Sequence, residues 1–251
     1  MTGVVLERAD DAARPAAREP RALAAWLERH ATVPDGTCER FDGYGVMGLP
    51  FSSGHILALR RFPASSIGPA YSSVWHRTPS GRWTFYTDNE PGRDCTRYFS
   101  ASVNETIRTE ITLDWKGPCR LEVRVPAAAL IWETEVMETW QTRTMNTLGA
   151  MLPQPLWHRR PILSAMAFAV QHLLGTGPVR LWGRSSNGHH FIANLRRIWV
   201  VSHARAAIAG NDLGTPAPTP EPVRLGDFRI PQRGLLAFGQ ALFAGDGSLR
   251  W

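Results

Sequence analysis

ETIRTEITLDWKGPCRLEVRV, residues 105–125, is the stretch whose reading decides the fold. Ile107, Thr109, Ile111, Leu113 and Trp115 alternate with Thr106, Arg108, Glu110, Thr112 and Asp114. After the turn Lys116-Gly117-Pro118, Leu121, Val123 and Val125 alternate with Arg120, Glu122 and Arg124. Successive side chains of a strand point to opposite sides of a sheet, so this period of two predicts an antiparallel hairpin with one buried and one wet face.

Working outward, the same period recurs. LIWETEVMETW, 130–140, reads as a further strand. Upstream, HILALRRF (55–62) is β-like, and YSSVWHRT (71–78) and RWTFYTD (82–88) flank Pro79-Ser80-Gly81 as a second hairpin. Downstream, VRLWGRS, a Ser186-Asn187-Gly188 turn, HHFIAN and RIWVVSH read as two or three strands, Asn-Gly being a preferred hairpin turn. RGLLAFGQALF (233–243) fits a strand better than a helix, and the proline-rich TPAPTPEPV (215–223) reads as a stiff surface connection.

Two segments break the pattern. Leu23, Trp26, Leu27 and His30 share a helical face behind Pro20, which predicts a helix over about 21–31. Pro161 opens PILSAMAFAVQHLL and Gly175 closes it, the proline-first, glycine-last arrangement of a helix. Its apolar residues run nearly all round, so it should be buried or cap an opening. The expected fold is mainly β: an antiparallel lipocalin-like barrel or double sheet with an N-terminal helix and one inserted helix at about 161–175. Residues 1–19 read as a mobile arm and 20–251 as one domain.

Composition narrows the function classes. The formal charge is +6 and the pI about 9.9. Lys116 is the only lysine, and the arginine pairs 60–61, 159–160 and 196–197 lie far apart, so a nucleic-acid partner is not expected. Cys38, Cys95 and Cys119 form no CxxC, and no histidine motif has metal-ligand spacing: His189 and His190 are adjacent and would point to opposite faces. Neither a metal nor a cofactor is expected. The N-terminus has no basic-then-apolar signal pattern, and the run Ile162–Leu174 is too short to span a bilayer, which predicts a cytoplasmic protein. DGYGVMG (42–48) has the look of a glycine-rich loop but lacks the strand and helix order of a phosphate site.

The order of hairpins, LDWKGPCRLEVRVP, LIWETEVMETWQTRTMN, a helix and then LWGRSSNGHHFIAN resembles the lipocalin-like proteins that include carotenoid 1,2-hydratases and tocopherol cyclases, over about residues 50–245. The resemblance implies a barrel-like fold with an apolar cavity for an isoprenoid, in which an acidic side chain protonates an alkene. No catalytic motif of that family matches a position here, so none of its functional residues is carried over. RLWGRSSNGHHFIANLRRIWVV and RLGDFRIPQRG also resemble a group of bacterial proteins of unassigned function.

The expected function is binding of an apolar, isoprenoid- or lipid-like small molecule in a barrel cavity. One alternative is a cofactor-free hydratase, cyclase or isomerase; another is an arginine-rich module for acidic partners. Trp75, Trp132 and Trp182 are candidate wall residues, either core or an aromatic lining whose ring faces stabilise positive charge. Glu133 and Glu135 share one strand face; they either meet water or point into a cavity, where an apolar setting would raise a carboxyl pKa and make a general acid. His76 and Tyr86 are candidate cross-strand partners for proton relay or head-group binding. Asn146 and His190 complete the candidate ligand contacts.

Overall fold

The computed structural model describes residues 19–245. The arm expected over residues 1–19 lies, apart from Glu19, outside the described residues. Eleven main strands are named here in chain order. They are β1 (Glu39–Val46), β2 (Ile56–Ser65), β3 (Tyr71–Arg77), β4 (Trp83–Thr87), β5 (Glu105–Arg108), β6 (Thr112–Trp115), β7 (Arg120–Val125), β8 (Leu130–Met137), β9 (Trp182–Arg184), β10 (His190–Ile208) and β11 (Leu235–Ala244). Ten of them form one path in the order β5-β4-β3-β2-β1-β11-β10-β8-β7-β6, and β9 pairs with β10. The fold is mainly β, a curled sheet of half-barrel form with four α-helices among the described residues, the second of them, α2, being the single turn Thr96–Phe99.

The stretch 105–125 shows why the sheet curls. β5 runs parallel to β4, and β6 pairs antiparallel with β7. The two edges of the path are therefore consecutive in the chain, separated only by residues 109–111. The single long strand expected at 105–115 is divided between two partners, although its inward row is as expected: Ile107, Ile111, Leu113 and Trp115 all join one cluster. That cluster draws on every strand of the path, with Tyr44, Leu59, Val74, Trp132, Trp199 and Phe238 among its members. Only a concave face can bring both edges of a sheet into one core. Helix α1 (Pro20–His30) packs on this core with Leu23, Ala24 and Leu27, and Arg21 N donates to Pro118 O at 3.1 Å.

Three expectations need correction. DGYGVMG is no loop: its first residues belong to β1, at the centre of the sheet. Gly43 and Gly45 are there because a Cβ would overlap the Arg61 and Leu59 carbonyl oxygens where β1 and β2 press together at a register shift. The strand expected at 130–140 stops at Met137, and Trp140–Met151 forms α3, capped by Thr139 and Thr142 in a reciprocal box. HHFIAN and RIWVVSH are parts of one 19-residue strand, β10, bent by register shifts at 195–197 and 201–203, so with β9 this segment holds two strands, within the two or three expected. The inserted helix, α4 (Arg160–Leu174), ends on Gly175 at φ 63° as expected, but it is half-exposed: only Leu163, Val170 and Leu174 are buried.

Candidate functional site

β2 carries the decisive residue. Its alternation sends Leu57 and Leu59 into the concave core and Ile56, Ala58, Arg60 and Phe62 to the opposite face, which is also covered. Adjacent Arg61 emerges on the concave side, where it donates to Glu28 Oε1 and Oε2 at 3.0 and 2.7 Å. Arg60 has no such escape and is 6% exposed. Its Nη1 donates to Val46 O and Leu59 O, both at 2.8 Å, and its Nη2 to Met47 O at 3.1 Å. The guanidinium carbon lies 4.5 Å from the Trp75 ring centre and 5.4 Å from that of Phe228. Among the described residues no carboxylate pairs with it. Burial drives its pKa down to about 10, so it keeps its charge at neutral pH.

This cation borders an apolar pocket of about 70 Å³. Gly43, Gly45 and Ala237 supply small positions, and Trp75, Phe99, Phe191, Phe228 and Phe243 supply aromatic walls. Trp75 is held flat against Phe85, with ring centres 4.4 Å apart. At one edge Asn194 and Gln240 exchange hydrogen bonds, Gln240 N to Asn194 Oδ1 at 2.9 Å and Asn194 Nδ2 to Gln240 Oε1 at 3.2 Å. Cys95 also lines the pocket, its sulfur 3.4 Å from the Tyr71 hydroxyl. Burial pushes the Cys95 thiol up to about 12, so it is not a thiolate. Lys116, the only lysine, sits on the exposed β6–β7 turn paired with Asp114, so no lysine reaches the pocket.

With that geometry in place, the chain can be set beside known proteins. No family model and no curated protein matches it. Among solved structures it is similar to an acetoacetate decarboxylase from Legionella pneumophila, at 10% identity and a TM-score of 0.40, over 88% of this chain and 90% of that one.

Of the residues singled out from sequence, Trp75 alone lines the Arg60 pocket. Trp132 is fully buried in the concave core, so the hollow expected inside the barrel is occupied by side chains there. Glu133 and Glu135 face the other way: Glu133 meets Arg120 at 2.5 Å and Glu135 is exposed, beside His203 and Arg205. Neither can serve as an acid in an apolar pocket. His76 stands opposite Thr84, and Tyr86 opposite Val74, so the two are not ladder partners. His76 instead shares a proton position with His55, Nε2 to Nδ1 at 2.8 Å; burial, then the His55 charge, lowers its pKa to about 4. Tyr86 lies in the concave core, its pKa raised by burial and then by Glu105.

Asn146 is not a ligand contact at this pocket but a clamp. From α3 it donates Nδ2 to Ile198 O at 3.0 Å and accepts Ile198 N at 2.8 Å, fixing the helix to β10. Trp182 donates to Ser164 Oγ at 3.0 Å and lies under Arg160, 4.8 Å from its guanidinium carbon. His190 begins β10, half-buried, in register with Ala244 and Arg184. Among the described residues no group of three or more His, Cys, Asp or Glu side chains is placed to hold a metal. Sequence reasoning missed Arg60, yet a signal existed. Two successive arginines inside an otherwise apolar strand must point to opposite faces, so one of them is buried if both faces are covered.

Proposed function

We propose that the protein binds a small carboxylate with a short apolar body, its charged end on Arg60 and its body among Trp75, Phe99, Phe191 and Phe228. The observation that carries this reading is a buried guanidinium, without a carboxylate of its own, on the wall of an aromatic pocket. Arginine's planar fork matches a carboxylate bidentately, and charge-assisted bonds are the stronger ones. Arg60 is already desolvated, so an incoming anion bears mainly its own desolvation cost.

Size limits the guest. A water needs about 10–15 Å³ measured this way, so about 70 Å³ takes a body of a few heavy atoms. The expected apolar ligand thus becomes short and acidic; a long isoprenoid is many times too large for this pocket. Arg60 holds charge and Cys95 stays a thiol, which is the chemistry of recognition more than of nucleophilic attack. An acid-catalysed route through Glu133 or Glu135 loses its support, because both carboxyls face away.

Calorimetric titration with butanoate, butanamide and butanol tests this. At a ceiling of about 1.5 kcal/mol per heavy atom, a six-atom acid binds no tighter than about 0.3 μM. The acid should bind at least about tenfold tighter than the amide, a difference of about 1.4 kcal/mol, and Arg60→Met should abolish that preference. Equal affinity for acid and amide, or an unchanged preference in Arg60→Met, would overturn the reading.

A further inference from the structure

From Thr139 to Asn211 the chain contains no aspartate or glutamate but eight arginines, of which Arg143, Arg159 and Arg160 belong to its helical part and Arg143 is paired with Glu138 at the edge. The first part of this stretch forms a helical layer: α3, the short turn Gln154–His158 and α4, packed on β10. Most of the large apolar side chains that the described residues leave exposed belong to it: Trp140 (71%), Leu148, Met151 (75%), Leu156, Phe168 (63%) and Leu173. On α3, Trp140, Leu148 and Met151 fall within one face at 100° per residue. α4 is apolar nearly all round, yet only three of its residues are buried in the fold. A helix of that composition is ordinarily enclosed on all sides.

We infer that this α3–α4 layer docks on an anionic lipid bilayer surface, lying flat with its exposed tryptophan, methionine, leucines and phenylalanine among the acyl chains. Charge decides among occupants. A second copy packed face to face would set Arg159 and Arg160 against their like, since the carboxylate at the layer's edge, Glu138, is already taken by Arg143. An anionic membrane is the complementary partner, and aromatic and long apolar side chains beside arginines are what its interface accepts. Nucleic acid is less suited, since large aliphatic groups make up most of the exposed surface. No helix among the described residues is long and apolar enough to cross a membrane, so the contact is peripheral.

The test uses the full chain with vesicles of phosphatidylcholine alone or with about 30% phosphatidylglycerol, a fraction that gives a strongly negative surface. Sedimentation should show at least about tenfold more protein on the anionic vesicles, and added salt should release part of it. The Trp140 contribution to fluorescence, taken as wild type minus Trp140→Phe, should shift to the blue. Trp140→Ser/Met151→Ser/Phe168→Ser should lose binding, and Arg159→Glu should weaken it about fivefold or more, each basic residue near a membrane being worth about 1 kcal/mol. All four positions are exposed or at the layer's outer edge, so an unchanged melting temperature confirms that the variants fold. Equal binding to both vesicle types would overturn the inference. So would tighter binding to duplex DNA than to vesicles, or a solution dimer that the triple substitution dissolves.

Discussion

The two faces of one sheet make opposite uses of aromatic residues. On the concave face Trp132, Trp199 and Phe238 fill the interior together with Tyr44 and a shell of aliphatic side chains. On the other face Trp75, Phe99 and Phe228 surround a charge, Arg60, that nothing in the described fold neutralises. Ring count is alike in kind on both sides and separates nothing. What separates them is the buried cation. A filled aromatic core contributes to stability in proportion to the area it removes from water, whereas a buried unpaired charge works against folding.

That contrast is open to direct attack, and the largest effect belongs to the filled face. Trp132→Ala should lower the unfolding free energy by about 4 kcal/mol in denaturant titrations, through lost transfer energy and an unfilled space. The folded variant should bind butanoate within about twofold of wild type, since distant sites are close to independent. Arg60→Met reverses the pattern. Removing the displaced charge favours the fold by about 3 kcal/mol, the amount implied by a guanidinium pKa of about 10. Against this, the Val46, Leu59 and Met47 carbonyls each lose a donor, at about 1 kcal/mol apiece. Stability should therefore change by less than about 1 kcal/mol while carboxylate selectivity disappears. A loss of several kcal/mol in Arg60→Met would make the arginine a structural strut and erase the distinction between the faces.

The interior was legible because period two is read directly from side-chain chemistry. The inward row of 105–125 and the core helix behind Pro20 follow from alternation and helical spacing alone. The pairing partners do not. Nothing local in Thr109-Glu110-Ile111 says that the strand before it joins β4 and the strand after it joins β7; that follows from closure of the whole sheet. α3 was hidden because its cap uses Thr142 where glutamate or glutamine is the familiar signal, and because the preceding strand runs straight into it. Glu133 and Glu135 show a further limit: alternation put them on the same face, but which face is wet is decided by Trp132 and Thr134 on the other side. Arg60 needed one more inference, that both faces of β2 are covered, which no stretch of sequence around it states.

A smaller effect tests the boundary between buried and exposed charge at His76. Its folded-state pKa of about 4 lies below the ordinary histidine value. As pH falls, the unfolded chain takes up the proton first, so this residue's contribution is complete above about pH 6.5 and is lost between there and about 4, on the order of 3 kcal/mol at most. His55 is lowered by burial too and adds in the same direction. His76→Gln should flatten the fall in unfolding free energy across that window. A slope identical to wild type would place the acid sensitivity elsewhere and leave the His55–His76 contact as packing alone.

The smallest expected effect lies with the glutamates that sequence made attractive. Glu133 pairs with Arg120 at the surface, and Glu135 is exposed. Exposed ion pairs contribute about 0–1 kcal/mol because water screens them and ordering two long side chains opposes the attraction. Glu133→Gln and Glu135→Gln should each change unfolding free energy by no more than about 0.5 kcal/mol and leave butanoate affinity as it was. A tenfold change in affinity from either would mean that the wet side of β8 communicates with the Arg60 pocket across the β1–β11–β10 centre of the sheet. The separation of the two faces would then be wrong at its root, since a neutral surface amide has no other route to a buried guanidinium.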